Sequence, residues 1–374
     1  MIAARGPAQA PQGDSSHTRW LAPAALLSRA LRQYAPMTDR PDPLTPHEAR
    51  SRARRLLPPE VWRYLETRAD GSMRDRNAAA WRGLELRPRI LRSVAEIDTA
   101  TEVLGRPITS PMLMAPNGRA TRFHPEGELA VMAGAARAGI GATLASSAHH
   151  ALDATALRPP VVWVQIYPSG DVARDAERAV QAQARGAHAV VVTVDLVPRP
   201  GAAAPALTAM SWEAGRTSTP GTPAFAAASL DDIARLAERS PLPIVVKGVM
   251  RGDDADACMR SGAQGIVVSN HGDGQLIGAS PTAHVLPEVV AAVAGRAEVY
   301  VDGGLRDGSA ILMALALGAR AVLIGRPVSH ALACGGAIGV EALFEGLNRD
   351  LERCMALCGA ARLSDLRPDL IRQR

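Results

Sequence analysis

Eight short apolar runs recur along the chain from about residue 108: 112–115, 141–145, 161–166, 189–194, 243–249, 265–269, 298–301 and 321–324. They are continuous instead of alternating, so each predicts a strand covered on both faces. Between them lie Ala-rich amphipathic stretches, among them 127–138, 172–186, 230–240, 253–261, 281–294 and 309–317. Eight strand–helix alternations predict an α/β fold of the (β/α)8 TIM-barrel type, preceded by a short helical segment. No GxGxxG follows the first run, which counts against a dinucleotide-binding Rossmann domain. The gap 196–229, rich in Ala, Pro, Gly, Ser and Thr, predicts a long loop after the fourth strand, of the kind that serves as a lid.

Composition narrows the function classes. Aromatic residues make up 3% of the chain, so the core must be built from Ala, Val, Leu and Ile. The formal charge of +5 is mild, and no Lys/Arg block is interleaved with aromatics, which argues against nucleic-acid binding. Cys258, Cys334, Cys354 and Cys358 form no CxxC pair; a reducing, cytoplasmic setting is expected, with no metal centre. No apolar stretch approaches the roughly 20 residues of a membrane span. Residues 1–44 read as a disordered extension. Their Ala, Pro, Ser and Arg suit a transit-type peptide or a gene whose translation starts at Met37, and 20–31 could form a short amphipathic helix. Residues 45–374 read as the barrel domain.

The chemistry-bearing residues fall at the C-terminal ends of the runs, where barrel enzymes assemble their sites. In order they are Pro116-Asn117-Gly118, Ser146-Ser147, Gln165 and Tyr167, Thr193 and Asp195, Lys247, and Ser269-Asn270-His271-Gly272. The last two ends are Asp302-Gly303-Gly304-Leu305-Arg306 and Gly325-Arg326. Gly-rich ends with an arginine, at strands seven and eight, suit a phosphate: backbone N–H groups approach it and a guanidinium forks two oxygens. Lys247 is the only lysine among 42 basic Lys and Arg residues, and it ends an apolar run. A site that takes lysine in so arginine-biased a chain calls for a compact ammonium, not a planar fork.

The stretch SNHGDGQL at 269–276 resembles the signature of the FMN-dependent 2-hydroxy acid oxidases and dehydrogenases. HPEGE at 124–128, QIY at 165–167, TVD at 193–195, VKGV at 246–249 and the block 301–328 are similar to that family too, and the likeness runs from about Thr45 to the C-terminus. The resemblance implies a small-molecule substrate, a homotetramer, and FMN across the barrel mouth. It implies that Gly304, Arg306, Gly325 and Arg326 hold the cofactor's phosphate, with Asp302 and Gly303 beside them. Lys247 would face the N1/C2 edge of the ring. Pro116, Asn117, Gly118, Ser146, Gln165, Thr193 and Ser269 would line the rest. His271 resembles the general base, Asp195 its orienting partner, and Tyr64 and Tyr167 the tyrosines that hydrogen-bond substrate. Read alone, Asp195 also suits a turn cap and Tyr64 a packing role.

The chain departs from the family pattern at the substrate's acid group. An arginine usual three residues after the histidine is Gly274 here. A second, seven residues after the fourth strand's aspartate, is Ala202, and an aromatic after the second strand is Ser147. Either another arginine, Arg119 or Arg199, supplies the anchor, or the substrate lacks a free carboxylate. In the latter respect the chain is similar to mycofactocin-maturation flavoenzymes, which oxidise a peptide-derived amine.

Overall fold

The computed structural model describes residues 42–67, 72–92, 94–148, 150, 152, 156–196 and 228–373. Almost all of the predicted extension, the loop 197–227 with Arg199 and Ala202, and His149 lie outside these residues. The described chain enters through α1 (Pro46–Leu56), whose N-terminus is fixed by a reciprocal Thr45–Glu48 capping box. Helices α2 (Pro59–Glu66) and α3 (Arg76–Arg82) follow, then β1 (Leu84–Leu86). This is the helical segment expected ahead of the barrel. The hairpin of β2 (Thr101–Val103) and β3 (Arg106–Ile108) comes next.

Eight parallel strands then close a barrel in chain order: β4 (Met112–Met114), β5 (Gly141–Leu144), β6 (Val162–Ile166), β7 (Ala189–Thr193), β8 (Ile244–Val249), β9 (Gly265–Val268), β10 (Glu298–Val301) and β11 (Ala321–Ile324). Strand β11 pairs with β4 to complete the ring. Each predicted run supplies one strand to within a residue at either end. Alternate side chains explain why the runs are apolar throughout. Leu113, Trp163, Val191, Val245, Val267, Tyr300 and Leu323 fill the interior, while Met112, Met114, Val164, Val192, Val246 and Val301 pack under the helices. Val103 and Ile108 of the hairpin join the interior cluster and plug one end. The scarce aromatics are placed with economy: Trp163 and Tyr300 meet edge to face, centroids 5.1 Å apart, inside the barrel.

Helices α4 (Gly127–Arg137), α5 (Val172–Ala184), α6 (Leu230–Arg239), α7 (Gly252–Arg260), α8 (Thr282–Val293), α9 (Gly308–Ala316) and α10 (Arg326–Leu357) cover the strands. No α-helix lies between β5 and β6 among the described residues, so the alternation is not fully regular. By length and composition helix α10 could cross a membrane. Yet 78% of its most apolar stretch is buried in the domain, and Gly335 and Gly336 (φ 56°, ψ −136°) break it in two. It is a core helix. At the other end of the chain β12 (Ile371–Gln373) pairs antiparallel with β1 and fastens the C-terminus to the entry segment.

Candidate active site

The C-terminal rim of the barrel opens into a cavity of about 310 Å³. Tyr64, Pro116, Asn117, Gly118, Gln165, Tyr167, Lys247, His271, Asp302, Gly303, Gly304, Arg306, Gly325 and Arg326 all line it, gathered from the entry segment and from the ends of six strands.

Lys247 stands at a bulge between β8 and β9, where the pairing register shifts. Its ammonium is buried, donating to Ser269 Oγ at 2.8 Å and lying 3.2 Å from Asp302 Oδ2. The same hydroxyl accepts the backbone N–H of His271 at 3.1 Å. One serine thus ties the lysine to the histidine. Gly248 makes room for the third member: at φ 112°, a Cβ there would lie 2.7 Å from Asp195 Cβ. Asp195 in turn reaches His271 Nδ1 with both oxygens, at 3.1 and 3.2 Å. His271, Gly272 and Asp273 run consecutively through the left-handed region (φ 56°, 64° and 65°), a turn that lifts the imidazole over the rim.

Electrostatics fix the protonation pattern. Burial by itself would raise the Asp195 pKa, but the His271 hydrogen bond and the Lys247 charge outweigh it and hold the carboxyl below its ordinary value. An ionised Asp195 accepts from Nδ1–H, leaving Nε2 as the basic atom of His271. Tyr167 moves the other way: burial, then the nearby Asp195 charge, pushes its phenol well above the usual range, so it stays a donor. Tyr64 is the exposed tyrosine, 47% accessible at the mouth, with the Arg122 guanidinium 4.9 Å from its ring centroid.

The opposite flank is built from arginine and glycine. Among the described residues Arg306 and Arg326 form no ion pair. Burial first, then repulsion between the two, lowers the Arg306 pKa to about 9. Burial likewise brings Arg326 to about 10, partly offset by Glu66. Arg326 is also the first residue of α10, whose N-terminus adds unsatisfied N–H groups and a positive dipole end. Two half-desolvated cations and a helix N-terminus describe a seat for an anion.

The glycines there answer to packing as well. A Cβ on Gly304 would fall 2.4 Å from the Asn77 carbonyl carbon, and one on Gly303 2.7 Å from Asn77 Nδ2. Asn77 itself exchanges hydrogen bonds with Asn270 at 2.7 and 3.0 Å, and Trp81 Nε1 donates to the Gly303 carbonyl at 2.9 Å. Helix α3 therefore clamps the loops after β9 and β10 together. Sequence reasoning missed both residues; a buried asparagine in the Ala-rich run RNAAAW was the available signal.

Several expected roles shift by one layer. Ser146 is buried behind the cavity, its N–H and Oγ both donating to Gln165 Oε1 at 3.0 and 3.1 Å. It orients the glutamine, whose Nε2 has no partner among the described residues, as is true of the buried Thr193 Oγ1. Asp302 serves Lys247, and Asn117 Nδ2 donates to the Gly325 carbonyl at 2.9 Å, joining the first and last strand ends. Gly118 is matched to Ser147: a Cβ on it would meet Ser147 Oγ at 1.9 Å. Arg119 takes a left-handed conformation (φ 60°) and does not line the cavity, although its charge reaches Tyr167. His150 pairs with Glu128 at 3.2 Å, a loop contact. Gly274 holds the unforeseen feature: the place of its missing Cβ lies 3.2 Å from both Cζ and Nη1 of Arg74, a residue that lines the cavity.

The model of the FMN-dependent dehydrogenase family matches residues 53–373. The chain belongs to the FMN-dependent dehydrogenase family. It is 38% identical to an L-lactate oxidase of Nostoc sp. over 330 residues, 81% of this chain and 90% of that one. A 4-hydroxymandelate oxidase of Amycolatopsis orientalis is 39% identical over 332 residues, 82% of this chain and 92% of its own. The crystal structure of mandelate oxidase with (S)-2-phenylpropionate superposes with a TM-score of 0.78 at 34% identity, covering 88% of this chain and 98% of that one. As a member of the FMN-dependent dehydrogenases, the protein is an oxidoreductase that converts 2-hydroxy acids to 2-oxo acids with FMN.

The residues present fit that cofactor. An orphaned amide donor on Gln165 lines the cavity, and Thr193 Oγ1 is buried without a partner at the end of the neighbouring strand. On the arginine flank Arg306 and Arg326 line the cavity without an ion pair among the described residues, and Lys247 adds a buried ammonium. An FMN-dependent dehydrogenase needs a phosphate seat, ring donors and a cation at the electron-rich edge, and each has a residue here.

Proposed function

We propose that His271 is the general base of 2-hydroxy acid oxidation, held through Nδ1 by ionised Asp195 so that Nε2 faces the substrate. The Asp195–His271–Ser269–Lys247 chain of contacts is the observation that carries this reading. Arg306 and Arg326, with Gly304 and Gly325, would hold the phosphate of FMN; Gln165, Thr193 and Lys247 would hold its ring. When bound, FMN would supply the acceptor for a hydride equivalent, the α-hydrogen with its two electrons. His271 Nε2 takes the proton released as the C–O bond becomes C=O, and the imidazolium so formed is stabilised by the Asp195 charge beside it. Tyr167 and Tyr64 donate hydrogen bonds to substrate oxygens. Lys247 places fixed positive charge where negative charge develops, a preorganised contribution on the order of 3 kcal/mol by analogy with oxyanion donors.

The finer readings follow from the family resemblance. Residues 45–374 form the functional unit, and the chain assembles as a homotetramer acting in the cytoplasm. The decisive experiment is anaerobic mixing of the FMN-loaded protein with glycolate, lactate, mandelate and longer 2-hydroxy acids. Bleaching of the flavin bands with formation of the 2-oxo acid is the expected result. A protein that stays colourless on reconstitution, or whose flavin no 2-hydroxy acid bleaches, defeats the reading.

A further inference from the structure

We propose that Arg74 supplies the guanidinium that grips the carboxylate of the substrate, from the entry segment instead of from the loop that carries the base. The proposal rests on the 2-hydroxy acid reading above and assigns its acid-recognising residue.

The argument begins at Gly274. A 2-hydroxy acid brings a permanent negative charge into the cavity, and a buried anion needs a paired, hydrogen-bonded cation. The loop after β9 offers none, since its residues 271–275 are His, Gly, Asp, Gly and Gln. Arg74 fills that space. The guanidinium reaches to 3.2 Å from where a side chain on residue 274 would begin, so glycine at 274 is what admits it.

The arginine is also held. Its backbone N–H donates to the Glu66 carbonyl at 3.0 Å and its Nε to the Thr67 carbonyl at 2.8 Å. Just before it, Met73 forms an antiparallel bridge with Thr67. Anchoring at Nε fixes the plane of the guanidinium, which suits bidentate recognition of a planar carboxylate. Arg74 lines the same cavity as His271, Tyr64 and Gln275, and its guanidinium meets the loop that carries His271 at Gly274. Of the two anchors expected from sequence, Arg119 does not line the cavity and Arg199 lies outside the described residues.

Arg74 also makes itself felt at Arg326, whose pKa its charge helps to lower. A role at the cofactor phosphate is therefore the competing assignment, and the experiment must separate the two. The FMN-loaded full-length protein is titrated with 2-oxo acids (glyoxylate, pyruvate, benzoylformate) and with their neutral amides, following the flavin difference spectrum. FMN affinity is measured separately by the fluorescence of released flavin.

In the wild type the acids are expected to bind more tightly than the amides. Arg74→Ala is expected to weaken acid binding by roughly tens- to thousands-fold while leaving amide binding and FMN affinity unchanged. Arg74→Lys is expected to recover only part of the preference, because an ammonium lacks the fork. Arg74→Ala combined with Gly274→Arg is expected to restore the preference from the other side of the gap.

Arg74→Ala protein that still prefers acid to amide overturns the proposal and leaves the 2-hydroxy acid reading standing. Loss of FMN affinity with acid preference intact overturns it too, and assigns Arg74 to the phosphate. A wild type indifferent to the acid group overturns both the proposal and the reading on which it rests.

Discussion

The two flanks of the cavity are built on opposite plans. On the base flank the ammonium and the imidazole already have protein partners: Lys247 has Asp302 and Ser269, and His271 has Asp195. On the arginine flank Arg306 and Arg326 pair with no carboxylate among the described residues and are held near each other by packing. The first plan fixes the position and protonation of groups that must move a proton. The second leaves cationic charge uncompensated until an anion arrives, so ligand binding relieves repulsion built into the fold. A buried cation without a partner is costly, and the lowered arginine pKa values are the sign of that cost.

The sharpest test of the contrast is removal of the base. His271→Ala is expected to slow flavin reduction by about 10²–10⁴-fold with FMN still bound, measured by stopped-flow absorbance. Near-normal reduction would remove the base flank's role in proton transfer. Lys247→Ala comes next. It leaves Asp302 buried without its ion partner, so reduction is expected to slow by roughly 10²-fold, with weakened FMN affinity and a lowered flavin midpoint potential. An unchanged potential would show that the ammonium does not face the ring.

On the arginine flank, Arg306→Ala is expected to act on cofactor affinity alone. Losing one charged partner of a bound phosphate weakens binding by about tens- to thousands-fold, while the reduction rate of enzyme saturated with FMN stays near wild type. A rate effect at saturation would break the division between the flanks. Gly304→Ala probes the clamp beneath it. Its Cβ would sit 2.4 Å from backbone carbon of Asn77, so a loss of about 1–3 kcal/mol is expected in denaturant unfolding. Gly118→Ala meets Ser147 Oγ at 1.9 Å and Cβ at 3.2 Å, so the companion change Ser147→Ala is expected to remove most, not all, of its smaller cost.

The smallest effect concerns Glu66, which lies behind the arginine flank against Arg50 at 2.7 Å and His330 at 3.1 Å. Burial alone would raise its pKa, but the His330 hydrogen bond and the charges of His330, Arg326 and Arg50 bring it to about 2 from 4.5. A carboxylate whose folded pKa is depressed gives stability that is complete above about pH 4.5 and fades as pH falls toward 2. Glu66→Gln is expected to flatten the acid limb of the melting-temperature profile in that window and leave the profile above it parallel to wild type.

Much of this was legible in the sequence because it is local. Strands buried on both faces must be apolar at every position, so the eight runs gave the barrel within a residue. Chemistry at barrel rims must sit at strand ends, so Lys247, His271, Asp195, Arg306 and Arg326 were found in place. The roles that moved depend on neighbours distant in the chain: Ser146 behind Gln165, Asp302 beside Lys247, Gly303 and Gly304 under Asn77. The lack of an α-helix between β5 and β6 among the described residues and the buried course of α10 belong with them. No spacing rule reports which side chain will fill the space that a glycine leaves.

The sequence by itself determined the barrel, the ammonium and imidazole on its rim, and the two cationic strand ends, since each follows from burial periodicity and residue chemistry within a few positions. Tertiary structure alone decided which atoms those groups touch. It brought Arg74 and Asn77, about two hundred residues earlier in the chain, against the loops after β9 and β10. Packing at van der Waals range depends on where separate segments meet, and a linear pattern carries no record of that meeting.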